Sequence, residues 1–267
     1  MAVSNLRLLA LDFDGVICDG LMEYFQVAWR TYCHIWNIDN YTVNDDLAEG
    51  FYCLRPVIET GWEMPILIKA LVMGLPEEKI LNDWENIVKQ ILQADNLDAK
   101  QVGIKLDALR DDWIANDLPD WLKLHRFYPG VINKIQATLA SDIKFYIITT
   151  KEGRFVKQLM QQGGLDLPTE LIFGKEYKRP KYEIIRELIK KHNLAAENVW
   201  FVEDRLKTLQ LVEQQTDLEN MQLFLADWGY NTPSERVKAE KDPRVNLLSL
   251  KMFAEDWDNW LINSHSV

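Results

Sequence analysis

The chain has 267 residues, 48% of them apolar, and its 41 acidic and 30 basic side chains give a formal net charge of -11. That is ample material for one large core or two modest ones, and the acidic balance excludes a general nucleic-acid surface, which needs clustered Lys and Arg. Cys18, Cys33 and Cys53 have neither disulfide-framework density nor zinc spacing, no leader pattern opens the chain, and no stretch approaches the roughly 20 apolar residues of a membrane span, so a cytoplasmic protein with reduced thiols and no membrane partner is expected.

The first element is an apolar run, Leu6-Arg-Leu-Leu-Ala-Leu11, that delivers Asp12 and Asp14 onto the turn Gly15-Val16. Such a run suits a strand buried on both faces of a parallel sheet, and parallel sheets bind ligands outside their carboxyl ends. Two carboxylates two residues apart repel unless something positive lies between them, so a divalent cation with oxygen ligands is the natural third party.

From about Gly20 to Arg126 the periodicity is helical. Its clearest case is Ile80, Leu81, Trp84, Ile87, Val88, Ile91 and Leu92, which follow the N-terminal signal Pro76-Glu77-Glu78. The tryptophans of this segment, Trp29, Trp36, Trp62, Trp84, Trp113 and Trp121, read mostly as core.

After Pro129-Gly130, strand-like runs (Ile143 to Thr149, Glu170 to Phe173, Val199 to Val202, Gln222 to Ala226) alternate with helix-like stretches (Arg154 to Gln161, Tyr182 to Lys190, Leu206 to Gln214), and Asn246 to Ile262 reads as a last amphipathic helix. Alternating strands and helices imply right-handed crossovers and a parallel sheet. The expected fold class is therefore α/β, a Rossmann-like doubly wound parallel core (1–19 and 127–267) interrupted by an all-α insert (20–126) that should sit over the catalytic strand end.

Four strand ends carry chemistry: Asp12 and Asp14, then Thr149-Thr150-Lys151, then Lys178 to Lys181, then Glu203-Asp204. In a parallel sheet these ends share one rim. Alone, each has a structural explanation: an Asx turn for Asp12-Phe-Asp14-Gly, β-propensity for Thr149, a solvated helix residue for Lys181, a helix cap for Glu203-Asp204. Together, a hydroxyl, an ammonium and a second acidic cluster facing a carboxylate pair suit a phosphoryl group and its metal.

The order Asp-Phe-Asp-Gly-Val, Ile-Ile-Thr-Thr-Lys, Pro-Lys-Tyr-Glu-Ile-Ile and Phe-Val-Glu-Asp-Arg resembles the haloacid dehalogenase superfamily of hydrolases. The segment Asp227-Trp228-Gly229-Tyr230-Asn231-Thr232-Pro233 is similar to one found after the last core strand of phosphoglycolate-phosphatase-like members, which also insert a helical cap after the first motif. The resemblance implies that Asp12 is the nucleophile of an aspartyl-phosphate mechanism and that Asp14 is the acid/base. It further implies that Thr149 binds phosphoryl oxygens, that Lys181 screens charge, and that Asp204 holds Mg2+ with Asp12 and the Asp14 carbonyl. Members that cleave carbon–halogen bonds lack an acid two residues after the nucleophile, so Asp14 disfavours dehalogenation here.

The third and fourth motifs depart from the common pattern. Lys178, Arg179 and Lys181 all lie near the expected lysine, and Lys181 is favoured because Pro180-Lys181 opens an apolar-periodic helix. Glu203-Asp204 fits the adjacent-acid form of the fourth motif, with Glu203 a further metal ligand, directly or through water, while Thr208 stands where the other form carries an outer acid. The expected activity is hydrolysis of a small phosphorylated metabolite. Two rivals are a phosphomutase of the same superfamily and a binding or regulatory module that kept the fold.

Overall fold

A computed structural model describes residues 5–39 and 45–261. Its contacts divide the chain into two compact units, Gly20–His125 and the two flanking stretches taken together. Among the described residues no helix is long and apolar enough to cross a membrane.

The flanking unit begins with β1 (Leu8–Leu11) and a tight turn that leads into β2 (Cys18–Asp19). In that turn Ile17 N–H and Cys18 N–H both donate to Phe13 O, and Gly15 adopts φ 81°, a left-handed conformation that costs glycine little.

The inserted unit is helical: α1 (Leu21–Trp36), α2 (Asp45–Leu54), α3 (Glu63–Val72), α4 (Glu77–Ala94), α5 (Ala99–Asn116) and α6 (Leu118–Leu122). Its core contains Phe25, Phe51, Ile66, Ile80, Leu106 and Trp121. The α4 stripe buries Ile80, Trp84, Ile87, Val88 and Ile91, whereas Leu81, expected on the same face, is 46% exposed. Leu81 lies about 100° round the helix from Ile80, off the buried face. Trp29, Trp84, Trp113 and Trp121 are buried, while Trp36 and Trp62 are partly exposed. Glu23 of α1 is fully buried and accepts from Arg110 Nε of α5 at 2.8 Å, a fastening that apolar periodicity does not reveal.

The chain re-enters the flanking unit at β3 (Arg126–Phe127), which pairs antiparallel with β2. There follow α7 (Val131–Leu139), β4 (Lys144–Ile148), α8 (Gly153–Gln162), β5 (Ile172–Phe173), α9 (Lys181–His192), β6 (Val199–Glu203), α10 (Leu206–Glu213), β7 (Gln222–Ala226), α11 (Pro233–Lys241), β8 (Val245–Leu248) and α12 (Leu250–Ala254). The six-stranded sheet runs β5-β4-β1-β6-β7-β8 with every pairing parallel. The doubly wound α/β expectation is met, with β1 central. Because both faces are covered, the strands read as apolar runs: Leu8–Leu11 and Val199–Glu203 are buried throughout.

Two local readings are corrected. Arg126 belongs to a strand rather than to the helical segment, because two residues on each side suffice for the β2–β3 ladder and give little periodic signal. The single helix expected over Asn246 to Ile262 is instead β8, α12 and a 3-10 turn at Trp257–Leu261, with Ile262 outside the described residues. Val245–Leu248 gains a parallel ladder with β7, and Ser249 starts the helix anew by accepting from Met252 N–H. Tertiary pairing outweighs the weaker helical preference.

Candidate active site

The carboxyl ends of the central strands bring the charged residues together. Asp12 directly follows β1 and is 7% exposed, with its N–H donating to Val202 O of the neighbouring strand. Asp12 Oδ1 accepts from Phe13 N–H at 2.7 Å and lies 2.9 Å from Lys181 Nζ. Lys181 is the first residue of α9, and the same ammonium donates to Glu203 Oε2 at 2.7 Å. One largely shielded lysine thus bridges the ends of β1 and β6. Of the three cations near the third motif, Lys181 is the one brought to Asp12: Lys178 and Arg179 are exposed, and Arg179 pairs with Glu187.

Glu203 closes β6 and folds its carboxylate back, Oε1 accepting from the N–H groups of Asp204 and Arg205. Asp204 Oδ2 accepts from Tyr230 N–H at 2.8 Å. One carboxylate oxygen from each of Asp12, Glu203 and Asp204 lies within 4.8 Å of the others, and all three residues are buried.

Burial works against this concentration of negative charge. Asp12 is pushed up to about 7 by burial first and then by Glu203, with Lys181 opposing. Glu203 also rises to about 7, through burial, with Lys181 opposing and Asp204 adding to the rise. Asp204 is raised by burial and by Asp12. Burial alone would weaken the hold of Lys181 on its proton, but Asp12 and Glu203 outweigh it and keep the ammonium charged. With all three acids ionised, three negative charges face one positive, a deficit of two that a hard divalent cation with oxygen ligands would fill. The donor set fits Mg2+.

Asp14 stands slightly apart from this cluster. Its Oδ1 accepts from Lys151 Nζ at 3.2 Å, both side chains being largely shielded. Lys151 sits two residues past Thr149, and its backbone N–H donates to Thr149 Oγ1, fixing the hydroxyl of a residue that is 6% exposed. In the run Thr149-Thr150-Lys151 the sequence pattern gives Lys151 no role of its own. A lysine just past a strand end, two residues after a hydroxyl, is the one signal that marked it.

Thr208 lies within α10 and is not part of the carboxylate cluster. Cys18 is a buried free thiol whose pKa is raised, chiefly by burial.

Residues 69–211, slightly more than half of the chain, match the family model of haloacid dehalogenase-like hydrolases. The matched span contains Thr149, Lys181, Glu203 and Asp204, whereas Asp12 and Asp14 precede it. A 5'-nucleotidase of Pseudomonas aeruginosa is 27% identical over 88 residues, which is 32% of this chain and 40% of that relative. The match therefore spans less than half of the relative's length.

Among solved structures, a haloacid dehalogenase-like hydrolase of Bacteroides fragilis aligns over 92% of this chain and 98% of its own with a TM-score of 0.58 at 14% identity. A predicted phosphoglycolate phosphatase of Haemophilus somnus aligns over 95% and 97% with a TM-score of 0.57, also at 14% identity. At such identities the likeness is one of fold. The family match, which runs from the last turn of α3 through β4 and β6 into α10, identifies the chain as a member of the haloacid dehalogenase-like hydrolase family.

Proposed function

We propose that the protein is a Mg2+-dependent phosphatase that hydrolyses a small phosphate monoester through an aspartyl-phosphate on Asp12. The observation that carries this reading is the position of Asp12 at the end of β1, held by Lys181 and adjoining Glu203 and Asp204, with Asp14 two residues on and held by Lys151.

An Asp12 carboxylate oxygen attacks phosphorus and the ester P–O bond breaks. Asp14 gives its proton to the departing alkoxide oxygen, then takes a proton from the water that attacks the aspartyl-phosphate, which releases phosphate and restores the Asp12 carboxylate. Lys181 neutralises charge beside Asp12, and the Thr149 hydroxyl, its oxygen accepting from Lys151 N–H, keeps its own proton to donate to a phosphoryl oxygen. Asp12, Asp204 and the Asp14 carbonyl, with Glu203 as a further ligand directly or through water, would hold Mg2+, which when bound would offset the charge of phosphate and carboxylates. The helical unit 20–125 is, on this reading, the cap in which substrate choice resides.

The test is phosphate release from a panel of small phosphate esters, nucleoside monophosphates and hexose phosphates among them, with and without Mg2+, for wild type and Asp12→Asn. Mg2+-dependent release by wild type that disappears in the folded variant is the expected result. Full activity of Asp12→Asn overturns the mechanism. Transfer of the phosphoryl group to another sugar position without net phosphate release makes the enzyme a mutase.

A further inference from the structure

The segment after β7 converges on Asp204 from several directions. Tyr230 N–H donates to its side-chain Oδ2 at 2.8 Å, and Asn231 Nδ2 donates to its backbone O at 2.9 Å and to Ala226 O at 2.8 Å. Asn231 is 5% exposed, and its amide orientation is set by Arg236, whose Nη1 donates to Asn231 Oδ1 at 3.0 Å. Two glycines make the approach possible. A Cβ on Gly229 would overlap Asp204 Cβ and lie 2.6 Å from Gly15 O, and a Cβ on Gly15 would overlap Asp204 Oδ2. The segment is itself anchored in the same unit, with Asp227 N–H donating to Leu248 O, Trp228 Nε1 to Val16 O and Tyr230 Oη to Asp19 Oδ1.

We propose that Gly229-Tyr230-Asn231 is a positioning clamp that holds the Asp204 carboxylate in the rotation that receives the divalent cation, so that Asn231 sets cation affinity without being a ligand. The inference rests on the metal reading above. Asp204 is buried among like charges that would turn it away from Asp12 and Glu203; the Tyr230 N–H bond to Oδ2 opposes that rotation, and Asn231, bonded to Asp204 O and Ala226 O, keeps the segment that carries Tyr230 against Asp204. Asn231 acts through Asp204 and has no part in bond making or breaking.

The experiment is titration of Mn2+ into the full-length protein, free ion being followed by its paramagnetic resonance signal, for wild type, Asp204→Asn, Asn231→Ala and Arg236→Ala, each with a melting curve. Wild type should bind Mn2+ and Asp204→Asn should lose it. Asn231→Ala, still folded, should bind about 10- to 100-fold more weakly, the range seen when partners of a ligand are removed. Arg236→Ala should weaken binding by a smaller factor, and it carries the test if Asn231→Ala does not fold. Wild-type affinity in a folded Asn231→Ala, or in Arg236→Ala where that variant carries the test, overturns the clamp and leaves the metal reading intact. A wild type that takes up no Mn2+ overturns both.

Discussion

Lys151 Nζ lies 3.2 Å from Asp14 Oδ1, with the two side chains only 8% and 15% exposed, so the proposed acid/base is held by a cation of its own, distinct from the lysine that serves Asp12. Removing that tether should cost geometry at the proton-transfer step more than substrate binding. Lys151→Ala is expected to lower kcat by about 10-fold or more, since positioned acid–base groups contribute about 100-fold and upward. KM should change little, and Lys151→Arg should recover part of the loss. Steady-state kinetics on the best ester of the panel checks this, and an unchanged kcat would separate Lys151 from the chemistry.

The raised carboxylates give the metal-free protein a definite pH dependence. Asp12 and Glu203 titrate near 7 in the folded chain, against 3.8 and 4.5 as ordinary values, so between about pH 4 and 7 the folded state binds more protons than the unfolded one. Stability therefore falls as pH rises through that window. In chelator the protein should melt at higher temperature at pH 5.5 than at pH 8. Mg2+ added at pH 8 should restore much of the difference by binding the folded state alone. Melting curves at the two pH values, with and without Mg2+, make the measurement.

Within the helical unit, Arg110→Ala should destabilise strongly. It leaves Glu23 fully buried and without the guanidinium that donates to it and balances its charge, a loss of about 3–5 kcal/mol for a broken buried pair. The double variant Glu23→Leu/Arg110→Met, which removes both charges and keeps apolar volume, should regain most of that stability. Urea denaturation of the single and double variants gives the comparison.

The end of the described chain is a structural part of the sheet unit. Trp260 is 1% exposed, with ring centroids 5.7 Å from Trp200, 5.3 Å from Phe224 and 5.0 Å from Phe253. Trp260→Ala should cost about 3–5 kcal/mol, as other buried Trp truncations do. The denaturation midpoint reads it, with no effect on Mn2+ affinity in the folded variant.

Much of the core was legible from the chain because its strands are short apolar runs that end in chemistry. Leu8–Leu11 feeding Asp12, and Val199–Val202 feeding Glu203-Asp204, are buried parallel strands marked by their short length and the acidic turns that bound them. Among the described residues, the helical character read from about Gly20 to Arg126 was equally plain from periodicity as far as His125, Arg126 lying in β3. The end of the chain was not: Val245–Leu248 is a strand because β7 offers it a ladder, a circumstance absent from its own residues.

At the site the division follows the same physical line. Local pattern determined which residue types reach the strand ends, since periodicity and turn chemistry act over a few neighbours: Asp12, Asp14, Thr149, Glu203 and Asp204 lie at or just past them, and Lys181 opens α9. Tertiary structure alone decided the pairings. It brought Lys181, which the helix start at Pro180 already favoured over Lys178 and Arg179, to Asp12, gave Lys151 to Asp14, and placed Asn231 behind Asp204. Those choices join residues as much as 169 positions apart, such as Asp12 and Lys181, and depend on strand order and helix placement, which no short stretch of sequence contains.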